Sequence, residues 1–205
     1  MRPLLCGVLV AWLAPAAAAQ PAELLDRTLA IVGTQVITLG DAQAAVRLGL
    51  VAAAPGADPA SITQVLVDRE LVLREVQRYA PPAPSDGTVE ARIDELRKQL
   101  PAPGEWARIL AATGFTEARL RAWVRDDLRT VAYLAQRFAS ASTPTDAEVA
   151  VLFTQERVAF ERAGITFEQA APALRERLVE ARRRELITDW VSDLRRRTTV
   201  VLLPQ

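Results

Sequence analysis

Residues 26–41, DRTLAIVGTQVITLGD, predict a strand, a tight turn, a second strand and the beginning of a helix. The side chains of residues 29–32 alternate between two faces, as a strand requires. Gly33 accepts the positive φ that a type II′ turn needs at its first central position, so residues 33–34 can connect the strands. A hairpin this short is not stable alone in water and must be covered by a third strand or a helix.

The partner that we expect for this hairpin lies at the far end of the chain. Residues 199–203, TVVLL, are apolar and β-branched, which favours a strand. We predict that they pair with residues 29–38 in a small antiparallel sheet, so that the two ends of the chain meet. Residues 20–205 would then form a single domain, in which residues 166–203 close the part formed by residues 26–160.

Between the two strand regions the sequence is mainly helical. Apolar residues recur at helical spacing, and segments that contain Pro or Gly separate the helical stretches. The predicted fold class is mainly α, with six or seven helices around one core and a small antiparallel sheet. The expected helices are residues 41–48, 59–79, 85–100, 106–113, 116–138, 146–160 and 166–197.

Residues 1–19 have the pattern of a secretory signal peptide. Arg2 gives a positive start, residues 4–13 are apolar but too few to span a bilayer, and small residues follow. We predict cleavage between Ala19 and Gln20, export to the periplasm and no stable membrane insertion afterwards. An uncleaved membrane anchor is the alternative.

The chain lacks the side chains on which much enzyme chemistry depends. It contains no His, and its single cysteine, Cys6, lies within the predicted signal peptide. Ser/His and Cys/His nucleophilic pairs and the usual zinc sites are therefore excluded. The sequence also shows no glycine-rich phosphate loop or dinucleotide fingerprint. We predict no catalytic residue, no metal and no cofactor.

The formal charge is balanced, with 25 basic and 25 acidic residues. This balance argues against nucleic acid or an anionic membrane surface as the main partner. Residues 182–184 form a run of three arginines that would suit an anionic partner. Because Glu180 and Glu185 flank the run, we interpret it instead as an exposed face with salt bridges.

Paired carboxylates are a second candidate for chemistry. Residues 126–127 are adjacent aspartates, and Glu90 and Asp94 lie four residues apart on a predicted helix. Such pairs carry out acid/base catalysis in some enzymes. We interpret them as solvated helix faces, with ion-pair partners such as Arg121 or Arg125.

The aromatic residues fall on apolar helix faces or at helix junctions. A chaperone could use such side chains to hold unfolded segments, but packing within the core is the interpretation that we favour. The residues concerned are Trp106, Phe115, Trp123, Phe138 and Trp190.

Several segments, in order, resemble the SurA-type periplasmic chaperones. Residues 29–41 are similar to the family pattern V-A-x-V-N-x-x-x-I-T-x-x-D, with Gly33 where that family usually carries Asn. Residues 143–149, TPTDAEV, resemble the segment that precedes the family's isomerase module. Further similar segments are residues 65–75, 106–138 and 165–203, the last containing Trp190, Leu194 and Arg195.

The resemblance implies a chaperone that binds unfolded polypeptides, with outer-membrane proteins as plausible clients. SurA-type proteins usually carry one or two parvulin isomerase domains between the sixth and last helices, where this chain has only residues 161–165. We therefore expect an ATP-independent holdase without isomerase activity. One alternative is a peptidyl-prolyl isomerase, an activity that only the label of the resembling family would assign. The other is a non-catalytic interaction protein of the cell envelope.

Overall fold

A computed structural model of the chain describes residues 26–52 and 57–204. The predicted signal peptide and the cleavage position between Ala19 and Gln20 lie outside these residues. The described part contains eight α-helices and one three-stranded sheet. The strands are β1 (Thr28–Val32), β2 (Gln35–Thr38) and β3 (Val200–Leu202); the helices are α1 (Leu39–Arg47), α2 (Pro59–Tyr79), α3 (Asp86–Lys98), α4 (Glu105–Thr113), α5 (Glu117–Arg137), α6 (Asp146–Gln155), α7 (Arg157–Ala163) and α8 (Phe167–Arg197).

The antiparallel sheet joins the two ends of the chain, which confirms a mainly helical fold with this small sheet. The strand order is β2-β1-β3, so β1 is central. Ala30 of β1 pairs with Ile37 on one side and with Leu202 on the other. Backbone hydrogen bonds that involve Thr199 and Leu203 extend the pairing by one residue beyond each end of β3.

The turn between β1 and β2 needs glycine because of its backbone conformation. Gly33 has a φ of +60°, whereas Thr34 does not have a positive φ, as expected for a type II′ turn. A Cβ atom at Gly33 would overlap Nη1 of Arg74, so the flexible end of this arginine would have to move. The same Nη1 donates a hydrogen bond of 3.1 Å to the carbonyl of Val32. The arginine therefore lies across the turn, in the space that a side chain would fill.

A reciprocal capping box fixes the start of α1. Thr38 is the N-cap: its Oγ1 accepts from the Asp41 amide at 3.2 Å, and Oδ2 of Asp41 accepts from the Thr38 amide at 3.1 Å. The helix thus begins at Leu39, and the predicted start at Asp41 is wrong. A Cβ at Gly40 would lie 2.7 Å from the Thr113 carbonyl oxygen, so α1 packs closely against the end of α4.

Two clusters of buried apolar residues hold the main body together. One lies where α2 and the last turns of α8 pack against β1 and β2. The other joins α1, α3, α4 and α5. Trp123 of α5 packs against both. The largest residues of the first cluster include Leu29, Val32, Ile37, Leu66, Leu71, Val76, Trp190 and Leu194; the second includes Leu48, Ile93, Leu96, Ile109 and Leu120.

A third, smaller cluster surrounds the first half of α8. Two separate helices contribute to it, so the prediction of one helix over residues 146–160 is wrong. The chain leaves helical geometry at Glu156, which separates α6 from α7. Residues seven apart in a straight helix are about 10 Å apart along its axis. The rings of Phe153 and Phe160 instead stack with centroids 5.0 Å apart, and Phe167 meets Phe153 edge-on. Tertiary packing of these rings therefore accompanies the break.

The last helix connects this small cluster to the main body. α8 has 31 residues, which corresponds to about 46 Å of helix. Leu174 belongs to the small cluster, whereas Trp190 and Leu194 belong to the cluster under the sheet. Among the described residues, no helix has both the length and the apolar character needed to cross a bilayer.

The closure of the sheet by β3 gives a testable prediction. Removing residues 198–205 deletes β3 and exposes one edge of β1. We expect a loss of about 3 kcal/mol in the free energy of unfolding, because several backbone hydrogen bonds worth about 1 kcal/mol each are lost. Urea unfolding followed by circular dichroism measures this change. Removal of residues 204–205 alone is the control and should leave the urea midpoint unchanged; an unchanged midpoint in the longer truncation would contradict the closure.

Candidate functional site

A cleft of about 510 Å³ opens between β2, α2 and α5, and we call it the β2 cleft. Its lining comes from the hairpin turn, β2, one face of α2 and the first half of α5. The volume falls within the range of about 300–1,000 Å³ that is typical of ligand pockets. The cleft is therefore large enough to take a few side chains of a bound partner.

The apolar part of the cleft is supplied by all three elements. Leu66 and Leu73 lie seven residues apart on α2 and are almost completely buried, as is Ile37 of β2. Trp123 of α5, which is partly buried, lines the cleft opposite β2. Because these side chains belong to the core or pack against it, the apolar part of the cleft is preformed.

Charged side chains also line the cleft, in equal numbers of each sign. The description of the binding site as a purely apolar groove therefore does not apply to this cleft. The three basic and three acidic residues are Arg69, Arg74, Arg119, Asp41, Glu70 and Asp126.

One ion pair ties α5 to the beginning of α1. Nη2 of Arg119 lies 2.5 Å from Oδ1 of Asp41, whose side chain is almost fully buried. The same guanidinium lies 4.9 Å from the ring centroid of Phe115. Asp41 thus caps its own helix with one oxygen and binds a neighbouring helix with the other. This pairing fixes one end of the β2 cleft.

A second ion pair ties α2 to α5. Nε of Arg69 donates to Oδ1 of Asp127 at 2.9 Å, and Nη2 lies 2.8 Å from the same oxygen. The guanidinium also lies 3.6 Å from the ring centroid of Trp123, close enough for a cation–π contact. The interpretation of residues 126–127 as a solvated pair is therefore wrong for Asp127, whose partner is on another helix.

Burial alters the protonation of two carboxyl groups at this site. Burial raises the pKa of Glu70, although the nearby Arg69 and Arg74 act in the opposite direction. Burial likewise raises the pKa of Asp127, against the charge and hydrogen bond of Arg69. Both groups therefore take up a proton more readily in the folded protein than in the unfolded chain.

The other charged residues discussed from the sequence form ion pairs outside the β2 cleft. Nε of Arg121 donates to Oε1 of Glu90 at 2.6 Å, which joins α5 to α3. Arg183 pairs with Glu180 on its own helix at 3.0 Å, as predicted. Arg182 instead binds Glu148 of α6. Most of this arginine-rich segment is therefore engaged within the protein.

The core-packing interpretation of the aromatic residues is confirmed for Phe115 and Trp190, which are buried. Phe138 packs against Trp190 with ring centroids 5.9 Å apart. Trp106 is partly buried, and its Nε1 donates to Oε1 of Glu117 at 2.8 Å. Trp123 differs from the others, because it both packs against the core and lines the β2 cleft.

The sequence contains a sign of this site that periodicity alone did not identify. Leu66, Glu70, Leu73 and Gln77 share one face of α2 and all line the cleft. A carboxylate and an amide on an otherwise apolar stripe indicate a surface that is partly open to solvent. The contribution of β2 and α5 to the same cleft is visible only in the folded chain.

The arrangement suits non-covalent binding. Among the described residues that line the cleft, only Thr34 carries a hydroxyl group. Within residues 26–52 and 57–204, no group of three His, Cys, Asp or Glu side chains is placed to hold a metal ion. What the cleft offers is an apolar floor, hydrogen-bonding groups and balanced charge.

Neither a scan against protein-family models nor a search of the curated proteins finds a match for this chain. Its function is therefore inferred from the sequence and from the geometry of the β2 cleft.

The raised pKa of Glu70 predicts how stability depends on pH. Because the folded state holds this proton more tightly than the unfolded chain, stability falls as the pH rises through the pKa of the folded state. We expect Glu70→Gln to lose less stability than the wild type between about pH 4 and pH 7. Urea unfolding across this range measures the difference.

The matched control for this experiment is Glu185→Gln, at an exposed position of α8. It should reproduce the wild-type dependence on pH. An equal or steeper loss of stability in Glu70→Gln would contradict the burial of a readily protonated carboxyl at this site.

Proposed function

We propose that this protein is an ATP-independent holdase of the periplasm, related to the chaperone part of SurA-type proteins. It would bind unfolded exported polypeptides, with outer-membrane proteins as plausible clients, and would hold one client segment in the β2 cleft. Three features support the proposal: the predicted signal peptide, the ordered resemblance of the sequence segments, and the cleft itself.

The observation that carries the proposal is the combination of surfaces in the β2 cleft. Trp123, together with the small exposed parts of Leu66 and Leu73, offers apolar area to a client side chain, and charged side chains surround this area. Burying one large apolar side chain contributes about 1.5–3 kcal/mol. Binding of this strength is weak and reversible, which suits a chaperone that must release its client.

Prolyl isomerisation is the alternative from the enzyme class. In the resembling family the isomerase module stands between the helices that correspond to α7 and α8. Here only residues 164–166 connect them, and the sequence contains no His. We expect a proline-peptide isomerisation assay to give the uncatalysed rate. A rate increase proportional to protein concentration would favour the enzyme instead.

A dedicated interaction protein of the cell envelope is the remaining alternative. It would bind one native partner, whereas a holdase binds many unfolded chains. Competition between two unrelated unfolded proteins for binding distinguishes the two, because a holdase should let either displace the other.

Filling the β2 cleft tests the proposed site directly. Ala122 is exposed on α5 and lines the cleft, so Ala122→Phe would place a ring in the binding space without removing a native contact. We expect the wild type to suppress aggregation of a urea-unfolded outer-membrane protein after dilution, and the variant to do so several-fold less well. Light scattering at increasing chaperone excess measures both.

The matched control is Ala132→Phe, which makes the same change at another exposed position of α5. This position lies about 15 Å further along the helix and on a different face. It should keep the wild-type effect. Absence of suppression by the wild type at several-fold excess would refute the holdase, and equal suppression by Ala122→Phe would refute the cleft as its site.

A further inference from the structure

We propose that the client segment binds in the β2 cleft as a fourth strand of the sheet, along the outer edge of β2. Its occupant would be an extended, uncharged segment of an unfolded polypeptide, with side chains that alternate between apolar and polar. This inference rests on the proposed holdase function and specifies how that function recognises its client.

The hydrogen-bonding pattern of the hairpin leaves one residue of β2 directed outward. Val32 pairs with Gln35 next to the two-residue turn, and Ile31 pairs with Val36. In antiparallel strands, pairs that exchange both backbone hydrogen bonds alternate with pairs that exchange none. The pair next to a two-residue turn is hydrogen-bonded, so the next pair is not. The N–H and C=O of Val36 therefore point away from β1.

The outward-pointing carbonyl of Val36 already accepts a hydrogen bond from a side chain of the protein itself. Nε2 of Gln35 donates to the carbonyl of Val36 at 3.3 Å, as the backbone N–H of an added strand would. The register directs the N–H of Val36 away from β1, and within the part of the chain that the structure describes no side chain or loop carbonyl accepts from it. The N–H of Val36 and its carbonyl thus face the position of an added strand. The side chain of Gln35, which now donates to this carbonyl, would be displaced by the backbone N–H of the added strand.

The β2 cleft lies along this edge. Residues 35–37 line it on one side, and Ala122 and Trp123 of α5 line it on the other. Alternate side chains of an added strand would point to opposite faces of the sheet. One set would contact the apolar part of the cleft, including Leu66. The other set would lie beside Val36, whose side chain is 40 % exposed.

The charges of the cleft favour an uncharged segment. Arg119 pairs with Asp41, Arg69 pairs with Asp127, and Arg74 binds a backbone carbonyl of β1. A charged client side chain would have to displace one of these partners or lie beside a like charge, and both are unfavourable. Transmembrane β-strands, which alternate between apolar and polar side chains, fit this requirement.

The opposite edge of the sheet provides an internal comparison. The backbone bonds of Thr199 and Leu203 to β1 place Leu202 among the residues of β3 whose N–H points outward. Leu202 is 52 % exposed. Proline follows at position 204, and a proline near an edge strand limits further pairing. β3 thus offers an edge without the surrounding cleft.

The test uses a fluorescein-labelled octapeptide of alternating Val and Thr with blocked ends, and a second peptide N-methylated at alternate residues on its hydrogen-bonding edge. Fluorescence anisotropy gives the affinity of the wild-type protein for each. We expect N-methylation to weaken binding by at least about tenfold, since it removes the backbone donors without adding charge. Equal affinities for the two peptides would overturn the inference.

Two protein variants test the same hydrogen bonds by changing the protein instead of the peptide. Val36→Pro removes the outward N–H of β2, and Leu202→Pro removes the outward N–H of β3; proline is tolerated at such edge positions. We expect Val36→Pro to weaken binding of the unmethylated peptide by about tenfold and Leu202→Pro to leave it unchanged. Circular dichroism confirms that each variant is folded. The comparison of the two peptides uses only the wild-type protein and does not depend on the folding of a variant.

The outcomes separate this inference from the function on which it rests. If the wild type suppresses aggregation but binds both peptides equally or neither of them, strand addition is refuted and the holdase stands. If the wild type suppresses no aggregation, the holdase function is refuted. Strand addition to a client is then refuted as well.

Discussion

The central strand β1 needs backbone partners on both sides, and the rest of the structure depends on this requirement. Alternate residues of β1 turn their N–H and C=O groups toward β2 and toward β3. The partners on the second side come from the far end of the chain. Because β3 follows α8 after only two residues, Thr198 and Thr199, the pairing of β3 also fixes where α8 lies. Trp190 and Leu194 are thereby placed under the sheet.

The same closure leaves β2 at an edge, and ion pairs keep the space beside it open. Arg119 with Asp41 joins α5 to α1, and Arg69 with Asp127 joins α2 to α5. Ion pairs that are partly or fully buried contribute little net stability, because desolvation offsets much of their attraction. Their effect here is geometric: they fix the separation of the elements that form the walls of the β2 cleft.

Local patterns were sufficient to predict the hairpin, the closing strand and most helix ranges, but not features that depend on distant residues. The break at Glu156 accompanies ring packing between α6, α7 and α8, which helical periodicity does not contain. The partner of Asp127 is 58 positions away in the sequence. The β2 cleft combines three elements and has no single sequence pattern. Three of the segments that resemble the SurA-type family contain capping boxes, at Thr38, Thr145 and Thr166, so these similarities also reflect the way in which helices begin.

The pairing of Ala30 with Leu202 also has a consequence for the order in which the chain can fold. Contacts between residues so far apart in sequence require closure of a very long loop, which is slow compared with local helix formation. During synthesis, helices such as α2 and α5 can form early, but β1 lacks half of its partners until residues 199–203 have been made. The sheet can thus be completed only after residues 199–203 have been made.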